Sequence, residues 1–388
     1  MNKSVTVWKR TALAAICLLL IVCVLFSLIF WLRPGSSNAG SSDSGKKTPV
    51  SGNEALSLWT DSSETKKQLV SYMETVTNES SADFIPVDQR IAVFDFDGTL
   101  FCETDPDYFD YCLLVYRVTQ DPDYKASEFE RATVDKILRA EQNGESFPEL
   151  PVEHGQAIAS AFAGMTMDEF FSYIAEFKKT EMNHYNGMTR GGGFYLPMLE
   201  IVDYLQANDF TVYIISGTDR FIVRGLLKDS PLSDIPPAKI IGSDERLAAS
   251  NQGDKDGLDY TFTKDDKVVL GGDFIIKNLK MNKVQVIMQE IGQQPVLAFG
   301  NSTGDSSMLE HTIVNNPYKS LSFMLCCDDL EREDGNLEKA EKVRKLSEEN
   351  GWVAVSMKND WKTIYGDSVT RKIVMTENSE AEAVQNAA

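Results

Sequence analysis

Histidine is nearly absent from this chain, with 3 residues in 388. His154, His184 and His311 are scattered and fit neither an HExxH motif nor a triad spacing, so none is assigned a role. Cysteine is sparse too. Cys17 and Cys23 lie in an apolar N-terminal run, which leaves Cys102, Cys112, Cys326 and Cys327. No CxxC pair or zinc-ligand spacing occurs among them. They read as buried free thiols, which neither demand nor exclude an oxidising compartment. Basic residues are outnumbered, 38 Lys and Arg against 58 Asp and Glu, for a net charge of −20 and a pI near 4.6. Binding to nucleic acid by counterion release needs clustered Lys and Arg, so that function class is disfavoured. An anionic substrate is still admissible, because a divalent cation reverses the local field of a site. No internal repeat is visible.

Apolar residues make up 43% of the chain and charged residues 25%, an ordinary globular balance. Thr11 to Leu32 carries no charge. As a helix these residues rise about 33 Å, enough for a hydrocarbon core. Lys3, Lys9 and Arg10 precede the run and only Arg33 follows closely. This predicts a cytoplasmic N-terminus (1–10), a signal anchor (11–32) and an extracytoplasmic remainder. The alternative is a secreted protein released by signal-peptide cleavage near Ser36–Gly40. Residues 33–54 read as a flexible Gly/Ser-rich linker. Residues 56–76 read as an amphipathic helix with Leu58, Leu69, Tyr72, Met73 and Val76 facing inward.

Three short apolar runs each end in polar residues: IAVF before Asp95-Phe96-Asp97-Gly98-Thr99, TVYII before Ser216-Gly217-Thr218, and PVLAF before Gly300-Asn301-Ser302-Thr303-Gly304-Asp305. Buried strands alternating with helices predict an α/β fold with a doubly wound, Rossmann-like parallel sheet. Residues 104–190 read as a helical insertion. Residues 261–270 read as a β-hairpin around Lys264–Lys267, and Lys283 opens a helix.

Ligands bind beyond the carboxyl ends of such strands. There the chain offers carboxylates at 95 and 97, a hydroxyl with a glycine amide at 216–217, a cation at 283 and a further carboxylate at 305. Phosphoryl transfer uses these parts. One carboxylate attacks phosphorus, and the cation, hydroxyl, amide and a metal offset the charge on the equatorial oxygens. Asp97 is placed to move the proton. Magnesium favours hard oxygens, which suits Asp95, the Asp97 carbonyl, Asn301 and Asp305. Lys277 and Lys280 are alternatives to Lys283 as the phosphate-binding cation.

DFDGT, a strand-borne SGT, a lone lysine and GNSTGD, in that order, resemble the four motifs of the haloacid-dehalogenase superfamily. The resemblance spans roughly Ile91 to Asp305, with the core ending near Tyr365. RIAVFDFDGTLFCE, PVLAFGNSTGDSSML and VSMKNDWKTI resemble a subgroup similar to phosphoserine phosphatase. The resemblance implies a magnesium-dependent phosphatase with Asp95 as nucleophile and Asp97 as acid/base. It implies Thr99, Ser216, Gly217 and Lys283 around the phosphate, and Asp95, Asp97, Asn301 and Asp305 around the metal. It also implies a core of 55–103 and 191–366 and a cap at 104–190, and residues 367–388 read as a disordered tail. Asn301 departs from the pattern, standing where aspartate is usual. The expected substrate is a small phosphate ester, with Glu103 and Arg220 as weaker candidates to touch it. For Glu103 the alternative is a loop carboxylate in water. Tyr108, Phe109, Tyr111, Phe170, Phe171 and Tyr173 have the helical spacing of cap core in preference to an ammonium cage. Competing functions are transfer of phosphate to an alcohol, and a degenerate envelope binding protein for which Asn301 is the only support.

Overall fold

The computed structural model describes residues 52–372. The expected N-terminus and anchor, nearly all of the expected linker, and the tail beyond 372 lie outside the described residues. No helix among the described residues is long and apolar enough to cross a membrane.

The chain enters through α1 (Gly52–Ala55), which overlaps the end of the segment expected as linker, and α2 (Glu64–Val76). The expected helix over 56–76 is therefore too long. Ser63 caps α2 through the Lys66 amide, and Trp59 is instead drawn into an edge-on contact with Trp361, a tertiary pairing that the local period does not show. Leu69, Tyr72, Met73 and Val76 are buried as expected, whereas Leu58 lies outside the helix and is half-buried.

β1 (Ile91–Phe94) is buried along its whole length. Its alternate residues serve two cores: Ala92 and Phe94 pack on one face, Ile91 and Val93 on the other. Such two-sided burial is what a central parallel strand requires. After β1 come four helices, α3 (Phe109–Thr119), α4 (Glu128–Asn143), α5 (Leu150–Ala161) and α6 (Met167–Phe177), inside the expected cap segment. β2 (Tyr185–Asn186) and α7 (Leu196–Ala207) lead back to the sheet. Then follow β3 (Thr211–Asp219), α8 (Arg220–Leu227), β4 (Ile240–Ala249) and β5 (Val268–Ile276). α9 (Met281–Val286) continues into a π-helical turn and ends at Gly292. The last elements are β6 (Leu297–Gly300), α10 (Ser306–Ile313), β7 (Leu321–Cys326), α11 (Leu337–Asn350), β8 (Val353–Ser356), α12 (Met357–Asp360) and β9 (Thr370–Arg371).

The main sheet has the order β5-β4-β3-β1-β6-β7-β8, parallel except for the β4–β5 pair. Phe94, Phe299 and Phe323 lie in register on β1, β6 and β7 and stack at centroid distances of 4.3 and 4.7 Å. The chain winds outward from β1 first through β3 and later through β6, so the ends of these three strands form the switch point of the sheet.

Two further expectations are corrected. The hairpin is wider than residues 261–270, because β4 pairs with β5 across the connection 250–267. That connection is held by Asp266, which accepts from the Thr263 amide and hydroxyl at 2.8 Å, the Tyr260 hydroxyl at 2.9 Å and the Asn251 amide at 3.0 Å. The start of the expected tail is ordered, since Thr370–Arg371 pairs antiparallel with Tyr185–Asn186.

Candidate active site

Beyond β1 the backbone turns at once. The amides of Thr99, Leu100 and Phe101 all donate to the Phe96 carbonyl, and the Gly98 amide donates to Phe101 at 2.6 Å. Gly98 sits at φ +73°, and a Cβ there would stand 1.8 Å from Asn301 Nδ2 and 2.6 Å from Glu103 Oε2. Only glycine satisfies both the conformation and the space. The turn brings Asp95 and Asp97 together on a cavity of about 130 Å³, also lined by Glu103, Tyr108, Asp110, Tyr111, Gly217, Thr218, Lys277, Asn301 and Asp305.

Lys283 is fully buried behind this cavity. Its three ammonium donors go to Asp95 Oδ1 at 2.5 Å, the Ile215 carbonyl at 2.6 Å and Asp305 Oδ1 at 2.7 Å. Asp305 Oδ2 accepts from the Asn301 and Ser302 amides at 3.0 Å and from the Ser302 hydroxyl at 3.2 Å. Asp97 Oδ2 accepts from Thr218 Oγ1 at 2.8 Å, while its Oδ1 has no partner. Burial raises the Asp95 carboxyl, and the nearby Asp305 charge adds to this against the opposing pull of Lys283. Burial also raises Asp97 well above the usual range, helped by Asp110 and Asp95. Burial disfavours the Lys283 ammonium, but Asp305 and Asp95 outweigh it and raise its pKa.

The sequence candidates fall into three groups. Asp95, Asp97, Glu103, Gly217, Asn301 and Asp305 line the cavity. Thr99, Ser216 and Lys283 are completely buried just behind it. Thr99 Oγ1 lies 3.4 Å from Asp95 Oδ2, and Ser216 Oγ accepts from the Thr218 amide at 3.0 Å. Arg220 is not brought to the cavity, because its guanidinium is spent on Glu290 at 2.8 Å and Asp244 at 3.2 Å. Glu103 is 8% exposed, so the reading of a loop carboxylate in water fails. Tyr108 and Tyr111 line the cavity, whereas Phe109 and Phe170 are core. His154 is core as well: it stacks on Tyr111 at 3.9 Å, and burial lowers its pKa to about 4.

Several contributors escaped sequence reasoning. Thr218 was visible in SGT, but nothing local reveals that its hydroxyl reaches Asp97. Asn278 stitches the same loop by donating from Nδ2 to the Ser216 carbonyl at 3.0 Å. Asp110 and Lys339 carry no motif signal at all.

No three His, Cys, Asp or Glu side chains among the described residues converge as a ready metal cage. The donor set at Asp95, Asp305, the Asn301 amide and the Asp97 carbonyl is nonetheless all hard oxygen. Two desolvated carboxylates with raised pKa and an unpartnered Asp97 Oδ1 mark a pocket short of positive charge. A magnesium ion fits that donor chemistry.

Residues 92–310 match the family model for haloacid dehalogenase-like hydrolases. No curated protein matches the chain significantly. Similar solved structures include a conserved, functionally unknown protein from Anaerococcus prevotii, 15% identical with a TM-score of 0.45, covering 75% of this chain and 92% of that one. Cytosolic 5'-nucleotidase IIIB bound to cytidine is 12% identical with a TM-score of 0.46, covering 79% and 91%. A phosphoserine phosphohydrolase-like protein from Francisella tularensis is 14% identical with a TM-score of 0.37, covering 70% and 95%.

Proposed function

This chain belongs to the haloacid dehalogenase-like hydrolases, and from that premise we propose that it is a magnesium-dependent phosphomonoesterase acting through an aspartyl-phosphate on Asp95. The observation that carries the reading is the shared cavity of Asp95, held by Lys283 at 2.5 Å, and Asp97, held by Thr218 at 2.8 Å with its other oxygen free.

The steps follow from these groups. Lys283 fixes Asp95 so that its remaining oxygen faces the cavity. That oxygen attacks phosphorus as the ester P–O bond breaks. Asp97, whose raised pKa keeps a proton available, gives it to the departing alkoxide. The resulting Asp97 carboxylate takes a proton from water, whose oxygen attacks phosphorus and breaks the bond to Asp95. Thr218 holds Asp97 in position for both transfers. Gly217 offers its amide to the phosphoryl oxygens, and Ser216, Thr99 and Lys283 support the site from behind. Asp95, the Asp97 carbonyl, Asn301 and Asp305 would hold magnesium. When bound, it supplies positive charge against the phosphoryl oxygens. Asn301 in place of a carboxylate leaves that set with less negative charge.

The uncharged run 11–32 supports a further reading, that the chain is membrane-anchored with its catalytic part extracytoplasmic. Membrane fractionation followed by external protease is expected to digest the catalytic part in intact cells. A soluble cytoplasmic pool would reject that location.

The activity test uses the full chain with magnesium and a broad panel of small phosphate esters. Phosphate release that stops on chelation is expected. A folded protein that releases none across the panel would sink the reading.

A further inference from the structure

One pair ties a distant element to the wall of this cavity. Lys339 stands in the first turn of α11, and its Nζ donates to Glu103 Oε1 at 2.5 Å across 236 residues of sequence. Glu103 lines the cavity with Asp95 and Asp97. Its second oxygen, Oε2, is buried without any partner. A desolvated carboxylate oxygen of this kind is costly unless a ligand brings a donor to it.

The side chains on both sides of Glu103 are held from the same direction. Glu333, completely buried, accepts from Thr104 Oγ1 at 2.7 Å, from Tyr195 at 3.3 Å and from Tyr365. Cys102 Sγ lies 3.9 Å from the same carboxylate. The segment 333–339 thus holds residues 102 and 104 through Glu333 and residue 103 through Lys339.

Charge decides what the free oxygen selects. A bare glutamate would favour an ammonium. With the Lys339 ammonium on Oε1, the pair is close to neutral, so Oε2 holds a second cation less strongly than a bare glutamate would. What remains is a directed acceptor that suits an uncharged donor. A carboxylate or second phosphate on the substrate would face lone pairs at Oε2 and also at Asp110 Oδ1, another buried oxygen without a partner on this cavity.

Resting on the phosphomonoesterase reading above, we propose that Lys339 is a positioning residue that holds Glu103 so that Oε2 accepts a hydrogen bond from a hydroxyl on the alcohol portion of the substrate. Hydroxylated alkyl phosphates are then the preferred class, ahead of amino and plain alkyl phosphates.

The experiment compares kcat/KM of the full-length chain, with magnesium, on 2-hydroxyethyl, 2-aminoethyl and ethyl phosphate. The wild type should favour the hydroxyethyl ester over the ethyl ester about tenfold, the worth of one hydrogen bond to a charged group. Lys339→Met should lose most of that ratio, and the aminoethyl ester should gain on the hydroxyethyl ester. Lys339→Arg should keep the hydroxyl preference, and in a Glu103→Gln background Lys339→Met should change nothing further. A wild type that prefers the aminoethyl ester would overturn the proposal. So would ratios in folded Lys339→Met equal to those of the wild type, effects of Lys339→Met and Glu103→Gln that simply add, or loss of the hydroxyl preference in Lys339→Arg. A wild type active on ethyl phosphate without discrimination defeats this inference alone. A wild type inactive on every ester of the broad panel overturns it together with the reading it rests on.

Discussion

The two walls of the cavity treat their polar groups in opposite ways. On the sheet side, Asp95 and Asp305 share Lys283, and Asp305 Oδ2 accepts three further hydrogen bonds. On the cap side, Asp110 Oδ1 lines the cavity and is buried with no hydrogen-bond partner, while His154, in the core beside it, comes no closer than 3.8 Å from Nδ1 to Asp110 Oδ2. On the sheet wall Asp95 and Asp305 are fixed before any substrate arrives, and Asp97 Oδ1 is left free. The cap wall keeps that Asp110 oxygen open, which lowers stability and leaves it for a ligand.

Four changes break or sharpen that contrast. The largest is Asp95→Asn, which removes the proposed nucleophile from the sheet wall. It should lower kcat by about 10⁴-fold or more, measured as phosphate release, with the fold intact by circular dichroism. Next is Lys283→Met, which leaves two buried carboxylates without their cation. It should cost about 3–5 kcal/mol in a denaturant titration. An effect under 1 kcal/mol, by the same measure, would deny that the sheet wall is held electrostatically.

The third change concerns Glu333, a buried carboxylate whose hydrogen bonds only partly offset burial, which raises its pKa to about 7. The folded form then binds a proton more tightly than the unfolded form. Its contribution is fully present below the unfolded value near 4.5 and is lost as pH rises through about 7. Between pH 5 and 8 the wild type should therefore lose up to about 3 kcal/mol relative to Glu333→Gln, read as diverging unfolding midpoints. Parallel midpoints would mean that Glu333 is charged in the folded protein at low pH. The smallest change is on the open wall. Asp110→Asn removes a charge that repels Asp97 and Asp107, and should raise stability by about 1 kcal/mol while lowering activity. A destabilised Asp110→Asn would show that the cap wall has a partner for that carboxylate after all.

The sheet wall was legible in the sequence and the cap wall mostly was not. Strand-ending polar residues repeat at Asp95, Ser216 and Asn301, and the parallel sheet brings the ends of β1, β3 and β6 together by rule. Residue type plus strand position is therefore enough to find Asp95, Asp97 and Asp305. Arg220 failed as a candidate because its partners, Glu290 and Asp244, are distant in sequence. Lys339 reaches Glu103 for the same reason and was invisible. Tyr111 has the helical spacing of core and is indeed stacked on His154, yet its exposed part lines the cavity. One side chain serves both roles, which periodicity alone does not separate. The wide β4–β5 hairpin was missed because Asp266 folds the connection by side-chain bonds to Thr263 and Tyr260, not by strand propensity.

The central claim is that Asp95 itself carries the phosphoryl group during turnover. Acid-quenching the enzyme with a turned-over ester and mapping peptides by mass spectrometry tests it directly. A phosphoryl adduct on Asp95 that is absent from Asp95→Asn is the result expected. Undiminished phosphate release by Asp95→Asn, or turnover with no adduct on Asp95 at any quench time, would contradict it.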